Sequence, residues 1–259
     1  AINTFLLADA EVVPHPVDEE GIVLNERPCD YYYVTPGHQV PTGVTMSSAR
    51  RRQLLEHAAR HDAVIIEDDY DSESNFTLNP LPALKASDRS GRVVYVSSLS
   101  KALSPGLRLG FMVADPDLID EARALRRLVY RHPPTNIQYQ MAHFLAQGHY
   151  ETHLRRYHFD SAQRWERLHA ALQRYLPSCR ALAGSEHANA FWLQTPAQIN
   201  TQQLTWRAAH AGVLIEPGAR HFLNAAPPDN YFRMGFHAIN PDAIAQGVEV
   251  LRGQLEQMG

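Results

Sequence analysis

Residues 93–110 read VVYVSSLSKALSPGLRLG, an apolar β-type run that ends in serines and leads into a single lysine, Lys101. Lysine is costly to bury, and a partly desolvated amine at the carboxyl end of a strand becomes a nucleophile that can form a Schiff base. Ser98 and Ser100 precede this lysine and Arg108 follows it, so hydroxyl and guanidinium groups suited to an anion lie close by in sequence. An exposed lysine in a Ser/Pro/Gly loop is the alternative interpretation, and it would prevail for this string alone.

A second group of reactive side chains lies upstream, where residues 63–73 read AVIIEDDYDSE. An apolar strand that runs into carboxylates places them at the carboxyl edge of a sheet, where open α/β sheets bind ligands. A Mg²⁺ or Ca²⁺ site is one interpretation of such a cluster. The Asp68-x-Tyr70 spacing, paired with Lys101 downstream, favours a narrower one. A carboxylate can keep a pyridine nitrogen protonated while a phenol donates to a ring oxygen, and pyridoxal 5′-phosphate (PLP) needs both to act as an electron sink.

Composition narrows the class of protein. The 259-residue chain carries a formal net charge of −4, which argues against a domain whose main task is to bind nucleic acid. Cys29 and Cys179 are too few for a disulfide framework, so a cytoplasmic location is expected. No apolar run reaches transmembrane length and no signal peptide opens the chain, so we expect no membrane contact. Residues 1–7 resemble the middle of an amphipathic helix without an N-cap, which predicts that the beginning of the protein is missing.

The alternation of elements predicts the fold class. Strand-like runs alternate with helical periodicity, which predicts a three-layer α/β/α domain around a mostly parallel sheet. Strands are predicted at residues 11–14, 29–35, 63–67, 92–96 and 107–114, and helices at residues 47–60, 118–131, 137–146 and 149–175. A second alternation has strands at 188–194, 212–216 and 230–236 and helices at 201–211 and 241–257. We therefore expect a large domain over 1–154, lacking its amino-terminal part, and a smaller α/β domain over 155–259.

Other conspicuous residues have structural interpretations. His57 and His61 are four residues apart on a predicted helix, but no third ligand adjoins them, so both are predicted to face solvent. The same prediction applies to the histidines of the long charged helix, His149, His153 and His158. No metal site is therefore expected. The tryptophans are predicted to anchor packing: Trp165, Trp192 and Trp206.

The motifs together indicate a family. The chain resembles the fold type I PLP-dependent aminotransferases, and more closely the aminotransferase-like domain of MocR/GabR-type transcriptional regulators of the GntR family. The motifs that carry the resemblance are YVTPGHQVPTG at 33–43, IEDDYDSE at 66–73, SLSKALSPGLRLG at 98–110, GHYETHLRR at 148–156 and YFRMGF at 231–236. The lysine and Asp-x-Tyr motifs are shared by the whole fold type, whereas TPGHQxPTG and EDDYDSE point to the regulator branch.

The resemblance implies how the cofactor ring is held. Lys101 is implied to form a Schiff base with PLP, with Asp68 on the pyridine nitrogen and Tyr70 on the phenolic oxygen. Asp68 would thereby keep positive charge on the ring and stabilise a carbanion. Once an amino acid has replaced Lys101 on the cofactor, the freed Lys101 amine would serve as the base for a proton shift.

The resemblance also implies the phosphate and substrate contacts. Ser98 and Arg108 are implied to bind the phosphate, with Ser100 as a helper, and Arg233 to pair with a substrate α-carboxylate. The implied ligand is an amino acid or amine, and the implied assembly is a homodimer. DNA is expected to bind only through a winged-helix domain that is absent from this chain.

The sequence departs from the family pattern in particular places. Val40 stands where ordinary aminotransferases have an asparagine that touches the ring oxygen, so this contact is expected to be lost or taken over by His38 or Gln39. The family's glycine-containing phosphate loop and its ring-stacking aromatic correspond to sequence upstream of Ala1. Residues 74–77, SNFT, replace a more aromatic and basic string.

Three functions follow from these observations. The favoured one is a regulator's effector-sensing domain, in which an amine-bearing effector exchanges with Lys101 on PLP and the change is relayed to a DNA-binding module. The alternative is a working aminotransferase that transfers an amino group from an amino acid to a 2-oxo acid. A metal-binding domain built on the acidic cluster, without PLP, is the third.

Overall fold

The computed structural model describes residues 2–25, 27–71, 73, 81–182, 189–223 and 225–258, so the departure at residues 74–77 lies outside the described residues. The helices are α1 (Ile2–Leu7), α2 (Ser48–Arg60), α3 (Leu84–Ser87), α4 (Pro116–Tyr130), α5 (Thr135–Ala146), α6 (His149–Tyr175), α7 (Thr201–His210) and α8 (Ile244–Glu256). The strands are β1 (Val17–Asp18), β2 (Gly21–Ile22), β3 (Tyr31–Val34), β4 (Val64–Asp69), β5 (Val93–Ser98), β6 (Gly110–Val113), β7 (Arg180–Ala181), β8 (Ala190–Gln194), β9 (Glu216–Pro217) and β10 (Tyr231–Gly235). Short 3₁₀ helices lie at Pro105–Leu107, Gly218–His221 and Pro241–Ala243.

The first sheet has the strand order β3-β4-β5-β6. The β3–β4 and β4–β5 pairs are parallel and the β5–β6 pair is antiparallel, which confirms a mostly parallel sheet. Glu67 pairs with Val34, and Asp69 pairs with Ser97, so the three parallel strands end at one edge. The segments that follow these strands therefore meet at that edge. Open α/β sheets bind their ligands at this edge.

Helix α2 shows why the sequence folds locally as predicted. Ser47 is its N-cap, and its side-chain oxygen accepts a hydrogen bond from the Arg50 backbone N–H at 3.1 Å, which satisfies one of the free donors at the beginning of a helix. Leu54 and Ala58 lie on its apolar face and are fully buried against the sheet, where Ile65 is also fully buried. The first hydrophobic core comprises Ile22, Tyr32, Val34, Met46, Leu54, Ala58, Ala63, Ile65, Leu84 and Val93.

The second sheet has the strand order β7-β8-β10-β9 and is antiparallel throughout. Helices α6 and α8 pack on it around a second core that includes Leu168, Phe191, Phe232, Val248 and Leu251. Helix α6 runs across the junction predicted at residues 154 and 155. The division into two domains at that point therefore stays a prediction.

Two predicted strands differ from the structure. Residues 11–14 form no strand, because Pro14 and Pro16 lack the N–H groups that a sheet ladder needs. The run predicted at 212–216 is reduced to the short β9. Gly212 adopts a positive φ of 85° that ends α7, and Val213 N–H donates back to the Ala208 carbonyl at 2.8 Å.

Some side chains also differ from their predicted environment. His57 does not face solvent: it is buried, and its Nε2 lies 2.8 Å from the Tyr32 hydroxyl, because this face of α2 packs on the sheet. Trp192 is buried as predicted, whereas Trp206 is 64% exposed on the outer face of α7 and anchors no core. Among the described residues, no helix is both long and apolar enough to cross a membrane.

Candidate cofactor site

Lys101 lies in the loop between β5 and β6, at the edge where the parallel strands end. Its Nζ is 2.7 Å from Oδ1 of Asp71, and it lies 4.5 Å from the centroid of the Tyr70 ring. The Lys101 side chain is 33% exposed, while the Asp71 side chain is only 2% exposed. The amine is therefore reachable from solvent but rests on a buried carboxylate and an aromatic face.

Burial and charge act on Lys101 in opposite directions. Partial burial lowers the pKa of Lys101 below its ordinary value, and the Asp71 carboxylate limits the decrease. Burial alone would raise the pKa of Asp71, but the hydrogen bond with His38 and the charge of Lys101 outweigh burial and lower that pKa. The two shifts have a common origin, since the 2.7 Å contact favours the charged form of each partner against the burial that opposes it.

The chain contains only two lysines, Lys85 and Lys101. Lys85 Nζ pairs with Asp88 Oδ2 at 3.3 Å, and Asp88 also accepts the backbone N–H of Val93, so the Lys85 amine lies toward the beginning of β5 whereas Lys101 follows its end. Lys85 is thus a natural reference for any chemistry assigned to Lys101.

A hydrogen-bond chain joins the two sheets beside Lys101. The Tyr70 hydroxyl donates to the His38 carbonyl at 3.2 Å and accepts from Asn189 Nδ2 at 3.2 Å. Asn189 is buried, and its Oδ1 accepts from Arg233 Nη2 at 3.3 Å. The predicted ring contact Tyr70 and the predicted carboxylate contact Arg233 therefore share one buried amide.

Asp68 lies in β4 and accepts a hydrogen bond from the Tyr33 hydroxyl on the neighbouring strand β3. Burial, together with the Asp68 carboxylate, raises the pKa of Tyr33, so this phenol stays protonated as a donor. The bond fixes the orientation of the carboxylate that the sequence assigned to the pyridine nitrogen.

The other carboxylates of the acidic cluster have separate partners. Glu67 is buried and accepts the backbone N–H groups of Leu84 and Lys85 at 2.7 and 2.9 Å, at the beginning of α3. Asp69 accepts from the Tyr95 hydroxyl at 2.7 Å. In the part of the chain that the structure describes, no group of three or more acidic, histidine or cysteine side chains is arranged to hold a metal ion.

The predicted phosphate contacts lie on the same loop as Lys101. Ser98 Oγ accepts the Ser100 backbone N–H at 3.2 Å, and Ser100 is nearly buried. Arg108 is exposed and adopts a left-handed φ of 48° at the end of a 3₁₀ helix. Gly110 then begins β6 at a position where a Cβ atom would lie 2.6 Å from the Ser97 carbonyl oxygen, so a side chain there would break the pairing that closes the loop.

Helix α6 holds the site from the other side. His153 Nε2 lies 2.7 Å from the Ala102 carbonyl, directly after Lys101, and His158 Nε2 lies 2.6 Å from the Glu73 carbonyl. The prediction that these histidines face solvent is wrong, because the long helix lies along both loops and turns this face toward them. His149 is exposed as predicted.

Residues 34–251 match the family model described as aminotransferase class I and II. This chain belongs to that family. The match covers the Lys101 loop, the acidic strand end and Arg233, and it confirms the family that the motifs predicted.

Known relatives of this aminotransferase-family domain include regulators. It is 39% identical over 243 residues to the HTH-type transcriptional regulator TauR of Rhodobacter capsulatus, covering 92% of this chain and 50% of the regulator. It is 35% identical over 256 residues to the probable rhizopine catabolism regulatory protein MocR of Rhizobium meliloti, covering 97% and 52%. The domain thus spans about half the length of the curated relatives it matches.

Solved structures confirm the aminotransferase fold. The multiple substrate aminotransferase of Thermococcus profundus superposes with a TM-score of 0.90 at 27% identity, over 99% of this chain and 66% of that chain. LysN, an α-aminoadipate aminotransferase of Thermus thermophilus solved with N-(5′-phosphopyridoxyl)-L-leucine, gives a TM-score of 0.86 at 28% identity, over 94% and 65%.

Sequence reasoning missed several residues of the candidate site in this aminotransferase-family domain. Asp71 stood inside the quoted acidic motif, but nothing in its spacing distinguished it from Asp68. Asn189 and His237 carried no sequence signal, since each reaches the site only through the packing of the second sheet. His237 Nδ1 lies 3.2 Å from the hydroxyls of both Tyr157 and Ser161 on α6.

His237 gives a prediction about stability and pH. Burial lowers its pKa to about 4 from an ordinary value of 6.5, so the folded protein keeps it neutral where the unfolded chain protonates it. As pH falls from 6.5 toward 4, the free energy of unfolding should therefore decrease, by up to about 2–3 kcal/mol from this group. Denaturant unfolding at both ends of that range measures the decrease.

The His237→Asn variant isolates this contribution from that of other titrating groups. Asparagine places a polar atom near the position of Nδ1 but does not titrate, so its unfolding free energy should decrease by about 2 kcal/mol less over the same pH range. Equal decreases in the two proteins would contradict the assignment.

Proposed function

We propose that this chain is the PLP-binding, aminotransferase-like effector domain of a GntR/MocR-type transcriptional regulator, which binds PLP covalently through Lys101 and senses an amino compound. The observation that carries the proposal is the position of Lys101 Nζ, 4.5 Å from the centroid of the Tyr70 ring and next to the Tyr70–Asn189–Arg233 chain. Similarity to TauR and MocR supports the regulator assignment over about half the length of each.

The residues present fit PLP by the chemistry of their donor groups. PLP carries an aldehyde, a pyridine nitrogen, a phenolic oxygen and a phosphate. Lys101 supplies the amine for the aldehyde, Asp68 a carboxylate for the nitrogen, and Tyr70 a hydroxyl for the phenolic oxygen. Hydroxyl and guanidinium donors for the phosphate are supplied by Ser98, Ser100 and Arg108. When bound, PLP supplies an electron sink for charge that develops on the carbon bearing the amino group.

The chain's own residues orient the ligand and move its proton. Arg233 offers two N–H donors to a carboxylate or another planar anion, and Asn189 fixes the direction of its guanidinium. Burial and the nearby Asp71 carboxylate raise the pKa of Tyr70, so its hydroxyl remains a donor at neutral pH. The Lys101 amine, once free, accepts a proton from the ligand at the same position.

Partners and location belong to the same proposal. The ligand is an amino acid or amine, the assembly is a homodimer, and DNA is bound through a domain outside this chain. Both cysteines are free, in keeping with a cytoplasmic regulator.

The alternative is an active aminotransferase, and the superposition on the enzyme of Thermococcus profundus supports it. The two proposals differ in turnover. In a sensing domain, one amino compound takes the place of the lysine on each bound cofactor and no further cycle follows. An enzyme starts a new cycle each time a 2-oxo acid accepts the amino group.

One set of measurements tests the function. Addition of PLP should give a visible absorbance band that persists through gel filtration, and addition of amino compounds should shift it. Single-turnover transamination without a steady state supports the sensor, whereas sustained turnover with a 2-oxo acid assigns the enzyme instead. Operator binding by the full-length protein should change with the amino compound, and the absence of any PLP band would refute both proposals.

Glu216 gives a prediction about ligand selectivity. Its Oε2 lies 3.4 Å from Arg233 Nη1, so an internal carboxylate already faces the guanidinium that is proposed to bind a ligand anion. Glu216→Gln should therefore strengthen binding of an amino-acid carboxylate by roughly three- to tenfold, through the loss of a competing charge worth about 1 kcal/mol. Spectral titration of the PLP form measures the affinity.

A simple alkylamine is the matched control ligand, since it has no anion to place on Arg233. Its affinity should be the same in both proteins. A Glu216→Gln variant that binds both ligands as the parent does would show that Arg233 does not receive the carboxylate.

A further inference from the structure

Asp71 divides its two oxygens between different partners. Oδ1 lies 2.7 Å from Lys101 Nζ, and Oδ2 lies 3.3 Å from His38 Nδ1. The side chains of Asp71 and His38 are only 2% and 4% exposed. A carboxylate buried to this degree needs both partners, because either one alone leaves an uncompensated oxygen.

Consecutive parallel strands bring the three residues together. His38 follows β3, Asp71 follows β4 and Lys101 follows β5, so the ends of neighbouring strands supply one residue each. Arg51 of α2 anchors the loop that carries His38, because its guanidinium donates to the carbonyls of Pro36 and Met46 at 3.1 and 2.9 Å. His38 is therefore fixed independently of Lys101.

We propose that Asp71, oriented by His38, is a positioning residue for Lys101: it holds the ammonium group at the sheet edge before the cofactor arrives and releases it when the amine reacts. The inference rests on the proposed function for the role of Lys101. Asp71 is distinct from Asp68, the carboxylate assigned to the cofactor ring, because Asp68 is bound to Tyr33 instead.

The arrangement has a chemical consequence for Lys101. An ammonium has no lone pair, so it must lose a proton to water before its nitrogen can attack an aldehyde carbon. The Asp71 carboxylate favours the ammonium, while the Arg233 guanidinium disfavours it. The other polar groups around the pair are Tyr70, His38 and His237. Among these, Asp71 is the anion in direct contact, so it sets how readily the amine becomes free.

Limiting formaldehyde with cyanoborohydride tests the proposal without PLP. The amine nitrogen bonds to the formaldehyde carbon, water leaves, and hydride from cyanoborohydride reduces the product to a methylamine. The rate for each lysine follows from mass spectrometry of its peptide, measured between about pH 6 and about pH 10. Lys85, also paired with a carboxylate, is the reference within the same molecule.

Asp71→Asn should increase the rate of Lys101 methylation at about pH 7 by roughly three- to tenfold relative to Lys85, and it should move the pH midpoint for Lys101 downward. His38→Ala should also move the Lys101 midpoint downward, but by less, because Asp71 would still be present and would lose only the partner that orients it. His38→Asn should restore the parent profile, since its amide can donate near the position of Nδ1.

The outcomes separate this inference from the proposed function. A Lys101 midpoint that is unchanged in both Asp71→Asn and His38→Ala overturns the positioning role, and so does a Lys101 that stays unlabelled in every protein. If Asp71→Asn does not fold, the comparison of His38→Ala with His38→Asn decides alone. Failure of the parent to bind PLP would refute the proposed function while leaving the methylation profiles interpretable.

Discussion

Replacing Lys101 with alanine should abolish covalent attachment of PLP. Lys101 is one of only two lysines, and its Nζ lies at the sheet edge beside Tyr70, whereas Lys85 belongs to α3 and pairs with Asp88. After addition of PLP and reduction with borohydride, the parent should carry one pyridoxyl group on the peptide that contains Lys101. Lys101→Ala should carry none and should lose the visible absorbance, because the variant lacks the side-chain amine that is proposed to attack the aldehyde.

Lys85→Ala is the matched control for this loss. It removes the other lysine and should leave both the absorbance and the labelled peptide unchanged. Retention of the pyridoxyl group in Lys101→Ala, or its appearance on the Lys85 peptide of the parent, would contradict the assignment of Lys101.

Among the substitutions proposed for this protein, Phe191→Ala should cause the largest decrease in the free energy of unfolding. Phe191 is fully buried at the centre of the second core, with its ring stacked on Trp165 at 5.7 Å and edge-on to Phe236 at 6.3 Å. Phe191→Ala removes an aromatic ring and leaves a cavity, so the free energy of unfolding should decrease by about 3–5 kcal/mol. Denaturant unfolding followed by circular dichroism measures it.

Trp206→Ala provides the comparison, because it removes a larger aromatic ring from an exposed position. Trp206 is 64% exposed, and its ring contacts His210, one turn later on the same helix, at a tilt of 43° with the centroids 4.1 Å apart, so the expected decrease is about 0.5 kcal/mol. Equal decreases in the two variants would mean that the second core does not depend on Phe191.

Local signals made much of the fold predictable. The Ser47 cap, the apolar period of α2 and the continuous runs of β4 and β5 are properties of neighbouring residues, and these elements formed where the sequence indicated. Strands 11–14 and 212–216 were overestimated, since prolines and the left-handed Gly212 determine the backbone more strongly than apolar content does.

The candidate site was predictable only in part. Tyr70 and Lys101 come together as the parallel sheet requires, and Arg233 lies in a strand as predicted. Lys101 pairs with Asp71 rather than with another carboxylate of the cluster. This choice depends on the path of the chain after the end of β4, which the spacing of the carboxylates does not reveal. His153 and His158 were assigned to solvent because helical period alone does not say which loops a helix will cover.

Contiguous motifs such as SLSKALSPGLRLG at 98–110 were sufficient to predict the family, most of the elements and the lysine that the proposed function assigns to PLP. The partner of that lysine could be identified only from the folded chain. Lys101 pairs with Asp71, Asp71 contacts His38, and the Tyr70 hydroxyl accepts a hydrogen bond from Asn189. Each of these contacts joins residues that lie far apart in sequence. They arise because parallel strands end together and the second sheet packs against their edge, which no local pattern encodes.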